Sequence, residues 1–380
     1  MKGIYLINSL EGGGAERVFS NLVKIQSESE ILNNFSVILL DNKKVAYQLP
    51  SEIRLNQLNG PRPSLKNLID FLMLIKKEKP TYVVSFLTRA NFFNVLGSCV
   101  FGYKSIISER SNTDGRLNKR FYYIKKIVTK LVYGKADKII AVSKGVENCL
   151  IENYFINPKN VVSLHNPVNI NMIEKIAKDS NVNITKPYIA VMGRLVTSKC
   201  FDVLIDAYAL ADIKEELRIL GEGPELERLK CKVINLKLEK KIHFMGFQKN
   251  PYAYIKNADF FILPSSLEGF PNALVEAMAL KKAVISTNCT DGPSEILKLN
   301  QLIPAEEYVE TEYGIMINVK DKIGLSKAIR NLSLNESLKN KLAEKSYLRV
   351  QDYSPDKFRD KFVEIIVNTL ANKNNEKPLI

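Results

Sequence analysis

Residues 264–277 read Pro-Ser-Ser-Leu-Glu-Gly-Phe-Pro-Asn-Ala-Leu-Val-Glu-Ala and put two carboxylates around a helix start. The apolar run 260–263 ends in a loop holding Glu268. Pro271 then pre-sets a helix whose second turn carries Glu276. The amides of Asn272, Ala273 and Leu274 fall in the first turn, where N–H groups lack intrahelical acceptors and the helix dipole favours an anion. Two acids beside an anion site suit a ligand with hydroxyls on both sides of a diphosphate. A nucleotide sugar is such a ligand, with Glu276 accepting from ribose hydroxyls and Glu268 from the sugar. A single glutamate of this kind would read equally well as a solvated helix residue.

Three further segments carry related chemistry. Gly193-Arg194 follows an apolar run, and Lys199 stands five residues later; an Arg fork and a Lys point charge at one strand end suit a diphosphate. Alone, that pair reads more readily as two solvated surface cations. Leu220-Gly221-Glu222-Gly223-Pro224 makes a strand–turn–helix, where the glycines admit a ligand or simply make the turn. Glu11-Gly12-Gly13-Gly14-Ala15-Glu16-Arg17 opens the first helix, and Gly13 and Gly14 let backbone N–H groups approach a phosphate. This is not the G-x-G-x-x-G pattern, although Asp41 keeps a dinucleotide site open; a sterically tight turn reads the same.

Between Arg116 and Lys138 lie eight Lys/Arg and one acid, Asp137. On a helical wheel Leu117, Phe121, Ile124, Val128 and Leu131 form an apolar stripe, as a plain surface helix would also give. Lys119, Lys126 and Lys130 fall opposite, where they would meet anionic headgroups or the diphosphate of a lipid-linked acceptor, or merely be solvated. Net charge points the same way. The chain is +14 overall, with +11 in residues 1–180 and +3 in 181–380.

These segments need strands to position them. Apolar runs at 3–8, 35–41, 82–86, 105–108, 138–142 and 161–164 alternate with helical patterns. The rhythm restarts at 188–192, 217–220, 241–245, 260–263, 284–287 and 315–319. This is the signature of parallel α/β units. At 380 residues, two domains are expected, 1–170 and 171–380, each doubly wound and Rossmann-like and facing each other across a cleft. Helix 356–370 is expected to pack back on the first domain. Five isolated Cys and only two His, His165 and His243, argue against disulfides and zinc and for a reducing compartment. No apolar run approaches the ~20 residues of a membrane span.

Gly193-Arg194…Lys199, Gly221-Glu222-Gly223 and Glu268-(seven residues)-Glu276 resemble the family-4 retaining glycosyltransferases of the GT-B fold, along nearly the whole chain. Among relatives, the likeness is to bacterial polysaccharide and glycan-assembly transferases acting on lipid-linked acceptors. The resemblance implies that Arg194 and Lys199 hold the donor diphosphate, Glu276 the ribose and Glu268 the transferred sugar. Phe270, Pro271, Asn272, Ala273 and Leu274 complete the donor loop, and Gly246 and Phe247 border the base. It also implies same-face transfer with retention.

Many relatives carry His where this chain has Arg110, in Ser108-Glu109-Arg110-Ser111; Arg110 is expected to hold an acceptor phosphate or the donor sugar instead. No Asp-x-Asp triplet occurs, so no metal or other cofactor is expected. The expected donor is a UDP-sugar carrying a hexose or N-acetylhexosamine, and the acceptor a polyprenyl-diphosphate-linked saccharide. The expected location is cytoplasmic, peripheral on the inner face of the membrane. Alternatives are GDP-mannose as donor, a sugar-nucleotide epimerase, and a basic nucleic-acid-binding protein. The last lacks an aromatic strand platform. Sugar identity is expected to depend on contacts around Glu268–Asn272 and on residues 291–295, Asp-Gly-Pro-Ser-Glu, whose individual role is not assigned.

Overall fold

A computed structural model describes residues 1–11, 13–29, 31–58, 65–110, 122–178 and 186–372. By contact the chain forms two units, Met1–Pro167 with Pro355–Ile380, and Val168–Ser354. Among the described residues no helix is long and apolar enough to cross a membrane.

The first unit holds a seven-stranded parallel sheet in the order β3-β2-β1-β4-β5-β6-β7. Its strands are β1 (Gly3–Ile7), β2 (Phe35–Leu39), β3 (Arg54–Gln57), β4 (Tyr82–Phe86), β5 (Lys104–Glu109), β6 (Lys138–Ala141) and β7 (Val161–Ser163). β1, β2 and β4 are buried along their whole length, because helices cover both faces and leave no polar side for alternation. On one face Phe19, Leu22 and Val23 of helix Gly14–Ser27 pack with Phe358, Phe362 and Ile366 of helix Pro355–Ala371, against Tyr5 and Phe35. On the other face lie Phe71 and Ile75 of helix Leu65–Glu78 and Ala90 of helix Thr88–Phe101.

The second unit repeats the plan in the order β10-β9-β8-β11-β12-β14-β13. Its strands are β8 (Tyr188–Met192), β9 (Glu216–Leu220), β10 (Ile242–Gly246), β11 (Phe260–Leu263), β12 (Ala283–Thr287), β13 (Tyr308–Glu310) and β14 (Ile315–Ile317). β13 runs antiparallel to β14. Two edge strands, β3 and β13, are absent from the hydrophobic pattern, since each is short and partly exposed.

Candidate active site

In the second unit the neighbouring strands β10, β9, β8 and β11 deliver four loops to one sheet end. Backbone bonds tie the loops together: Gly193 N–H donates to Leu220 O (3.0 Å), Leu195 N–H to Glu222 O (2.9 Å) and Gly221 N–H to Gly246 O (2.8 Å). Gly221 has φ +137°, and a Cβ there would strike the Gly193 carbonyl; one on Gly223 would strike the Leu195 carbonyl. Close approach of backbone therefore accounts for both glycines. Between them Glu222 accepts from Phe247 N–H (3.2 Å). Phe247 is 71% exposed at the end of β10.

After β8 the chain turns through Thr197–Lys199, with Cys200 in the left-handed region, into helix Phe201–Ala211. Lys199 forms an ion pair with Glu268 of the loop after β11; their side chains are 24% and 11% exposed. The same two loops are joined where Ser266 donates to Ser198 O from its amide (2.8 Å) and its hydroxyl (3.1 Å). Arg194 is exposed nearby. The structure thus brings Lys199 and Glu268 into contact, where the sequence had assigned them to separate parts of a ligand.

The helix after this loop spans Asn272–Ala279, with Pro271 as its cap residue and no side-chain cap. Pro271 O already accepts from Leu274 N–H (3.0 Å). Leu274 is therefore removed from the expected anion-binding donors; Asn272 and Ala273 remain in the first turn. Placing Pro271 just before the helix shifts the first bonded amide by one residue. Glu276 is buried in the second turn, 6% exposed. Phe270 is buried edge-to-face on Tyr353, with centroids 5.4 Å apart.

Residues 291–295, tied by the sequence only to sugar identity, take a definite place here. Gly292 has φ +88°, and a Cβ on it would lie 2.8 Å from Pro271 Cδ and 2.9 Å from Gly269 O. This loop thus braces the Glu268–Pro271 segment. Just before it, Cys289 is buried, and its thiol is pushed up to about 12, first by burial and then by the Glu268 carboxylate. Only long-range contacts reveal Ser198 and Cys289 as parts of this site and show what Ser266 and Gly292 do in it. Among the described residues no three His, Cys, Asp or Glu side chains cluster as metal ligands.

In the first unit Gly13 caps helix Gly14–Ser27, and the Glu16 carboxylate lies where a Gly13 Cβ would sit. Gly12 lies outside the described residues. Asp41 bonds Arg89 (2.6 Å), which also reaches Asn8 Oδ1 (3.4 Å). An arginine thus holds the acid that could have read a ribose. Arg110 follows β5, donating to Ser108 Oγ (3.3 Å) and lying 5.3 Å over the Phe86 ring. Burial lowers its pKa to about 10, against a partial rise from Glu109. Beneath it, Tyr133 donates to Glu109 (2.7 Å) and accepts from Asn91 (3.1 Å).

The apolar stripe of the basic helix faces outward. Ile124, Val128 and Leu131 of helix Tyr122–Tyr133 are exposed, while Thr129 and Tyr133 are buried. Lys126 lies over the Tyr154 ring and Lys130 over that of Phe155. Arg116, Leu117, Lys119 and Phe121 lie outside the described residues. The wheel gave the stripe but not its direction, which Tyr133 fixes by entering the Asn91–Glu109 network.

Residues 12–172 match the model "Glycosyltransferase Family 4", and residues 172–349 match "Glycosyl transferases group 1". The chain is 30% identical over 367 residues to a Campylobacter jejuni N-acetylgalactosamine-N,N'-diacetylbacillosaminyl-diphospho-undecaprenol 4-alpha-N-acetylgalactosaminyltransferase, covering 92% of this chain and 95% of that one. It is 25% identical to the lipopolysaccharide 1,6-galactosyltransferase of Salmonella typhimurium, over 78% and 83% of the two chains. The structure is similar to that of Anabaena Alr3699/HepE in complex with UDP, with TM-score 0.78 and 17% identity over 97% of this chain and 100% of that one. Sucrose-phosphate synthase from Thermosynechococcus elongatus shares the fold at TM-score 0.80 and 17% identity, covering 98% and 100%.

Proposed function

The chain belongs to glycosyltransferase family 4, with the GT-B fold, and on that basis we propose that this glycosyltransferase uses a UDP-sugar with retention. The transferred group is a hexose or N-acetylhexosamine. The acceptor is a polyprenyl-diphosphate-linked saccharide in surface polysaccharide or glycan assembly, reached from the cytoplasmic membrane face. The Campylobacter relative, whose name carries a diphospho-undecaprenol acceptor, supports that acceptor class. UDP in the Anabaena structure supports the donor base. One observation carries the site assignment: the Lys199–Glu268 ion pair joins the Arg194–Lys199 loop to the Glu268–Glu276 segment.

In this reading Arg194, Lys199 and the first-turn amides of Asn272 and Ala273 take the donor diphosphate, preorganised where negative charge develops. Glu276 takes the ribose, Glu268 the sugar, and the exposed Phe247 ring lies against the base. The anomeric C–O bond to the β-phosphate breaks while the acceptor oxygen bonds the same face. The acceptor's hydroxyl proton passes to a β-phosphate oxygen. Arg110 and the Gly13–Gly14 turn serve the acceptor.

Radiolabelled UDP- and GDP-sugars, screened against extracted lipid-linked acceptors with EDTA present, test donor, acceptor and metal independence together. Product NMR reads the anomeric configuration. Transfer only from GDP-mannose would replace the donor, and an inverted product would remove retention. A Glu268 adduct trapped from a slow fluorinated donor would replace same-face attack by a covalent route.

A further inference from the structure

Arg349, in the last turn of helix Glu336–Val350, donates to three partners at once. Its Nε reaches Ile296 O (3.0 Å), its Nη2 Glu295 O (3.0 Å) and its Nη1 the Asp352 carboxylate (2.7 Å). The same guanidinium lies over the rings of Tyr353 (5.2 Å) and Tyr313 (5.6 Å). Glu295 and Ile296 belong to the short helix Pro293–Leu297, and a helix C-terminus favours a cation. A planar five-donor fork can grip two carbonyls and a carboxylate while stacking on aromatic rings; a lysine ammonium cannot.

Both supports that Arg349 grips lead to the donor segment. One residue before the short helix, Gly292 packs so closely on Gly269 and Pro271 that no side chain fits between them. Tyr353, itself buried, meets the buried Phe270 edge-to-face at 5.4 Å. Residues 269–271 are therefore held by a backbone loop and by a ring, and Arg349 ties the loop's helix to the ring. Glu268 stands immediately before this stretch and Asn272 immediately after it.

We propose that Arg349 is a positioning residue for sugar transfer. It locks the Gly292 loop and Tyr353 together, and through them fixes where the Glu268 carboxylate and the amides of Asn272 and Ala273 stand. A displacement of about 1 Å can slow a reaction ~100-fold. Nucleotide binding, spread over Arg194, Lys199 and Glu276, tolerates such a shift far better. The proposal rests on the transferase reading above and deepens it, adding a residue that acts from behind the donor segment.

Arg349→Lys keeps the charge and loses the fork. It should lower kcat at least ~10-fold, while UDP affinity read by calorimetry stays within about threefold of the parent's. Cys289, buried three residues before Gly292, gives a readout that needs no activity. In Arg349→Ala the Gly292 loop should open. Iodoacetamide should then modify Cys289 at least ~10-fold faster than in the parent, while Cys200, buried in the same unit, stays unmodified. The Arg349 side chain is 16% exposed, so added methylguanidinium can enter beside Tyr313 and Tyr353. It should restore both kcat and the protection of Cys289, and methylammonium should restore neither.

Transfer by Arg349→Lys within about twofold of the parent, or a UDP affinity that falls as far as kcat, overturns the proposal. So does a Cys289 that stays closed in Arg349→Ala. Labelling of Cys200 in step with Cys289 overturns it too, by making Arg349 a residue of global stability. If the parent moves sugar from no sugar nucleotide, yet Cys289 opens in Arg349→Ala and methylguanidinium closes it again, the clasp stands and the transferase reading falls.

Discussion

Lys199 and Glu268, 69 positions apart in sequence, form an ion pair that closes the loop after β8 onto the loop after β11. Each is the other's partner until a ligand arrives. A donor that places phosphate on Lys199 and hydroxyls on Glu268 must divide this pair between its two ends, so the two residues act as one device.

Lys199→Ala is expected to lower transfer at least ~10-fold, and Arg194→Ala likewise. Charge-assisted hydrogen bonds contribute roughly 1.5–3 kcal/mol, and ~1.4 kcal/mol is a factor of ten. Steady-state kinetics and UDP calorimetry measure it. Near-parental rates in both variants would remove the diphosphate role.

Gly221→Ala combines a disfavoured φ of +137° with a collision against the Gly193 carbonyl, and should cost roughly 3 kcal/mol or more. Gly102→Ala shares a positive φ but meets open space, so about 1 kcal/mol is expected. Thermal melting should separate the two by several degrees. Equal losses would mean that the loop contacts around Gly221 do not matter.

Glu78 gives the fold an acid-sensitive contact. Lys2 Nζ lies 2.7 Å away, and it holds the Glu78 carboxyl below its ordinary 4.5, with help from Arg54. A lowered acid stabilises the fold above its ordinary pKa, and that contribution is lost as pH falls through the folded value. The parent's melting temperature should therefore drop more steeply below about pH 4.5 than that of Glu78→Gln. Parallel curves would show that the pair contributes nothing.

Iodoacetamide near neutral pH should modify the exposed Cys231 first and leave Cys289 untouched, because burial and the Glu268 carboxylate keep the Cys289 thiol protonated. Peptide mass spectrometry reads the order. Early labelling of Cys289 would mean that the Gly292 loop opens readily.

The parts of the site legible in the sequence are those encoded by local spacing. Glu268, Glu276, Arg194 and Lys199 sit in loops or first turns that strand periodicity and Pro271 already mark. Direction was harder to read. The same periodicity that revealed an apolar stripe at Ile124, Val128 and Leu131 says nothing about which way the stripe faces; Tyr133 decides that through residues far upstream. Leu274 was misplaced by a single residue at the helix start. Gly292 was opaque because its meaning lies in Gly269 and Pro271, more than twenty positions away.

Phe362 lies 6.2 Å from Tyr5, so the first sheet's core is completed by a helix that ends at Ala371. During synthesis, at ~5–20 residues per second, roughly 10–40 s pass between the last strand of that sheet and this helix. Until then Tyr5, Phe35 and their neighbours lack their cover. The first unit therefore matures after the second has been made, and the ribosome-bound chain carries an apolar surface for chaperones to shield.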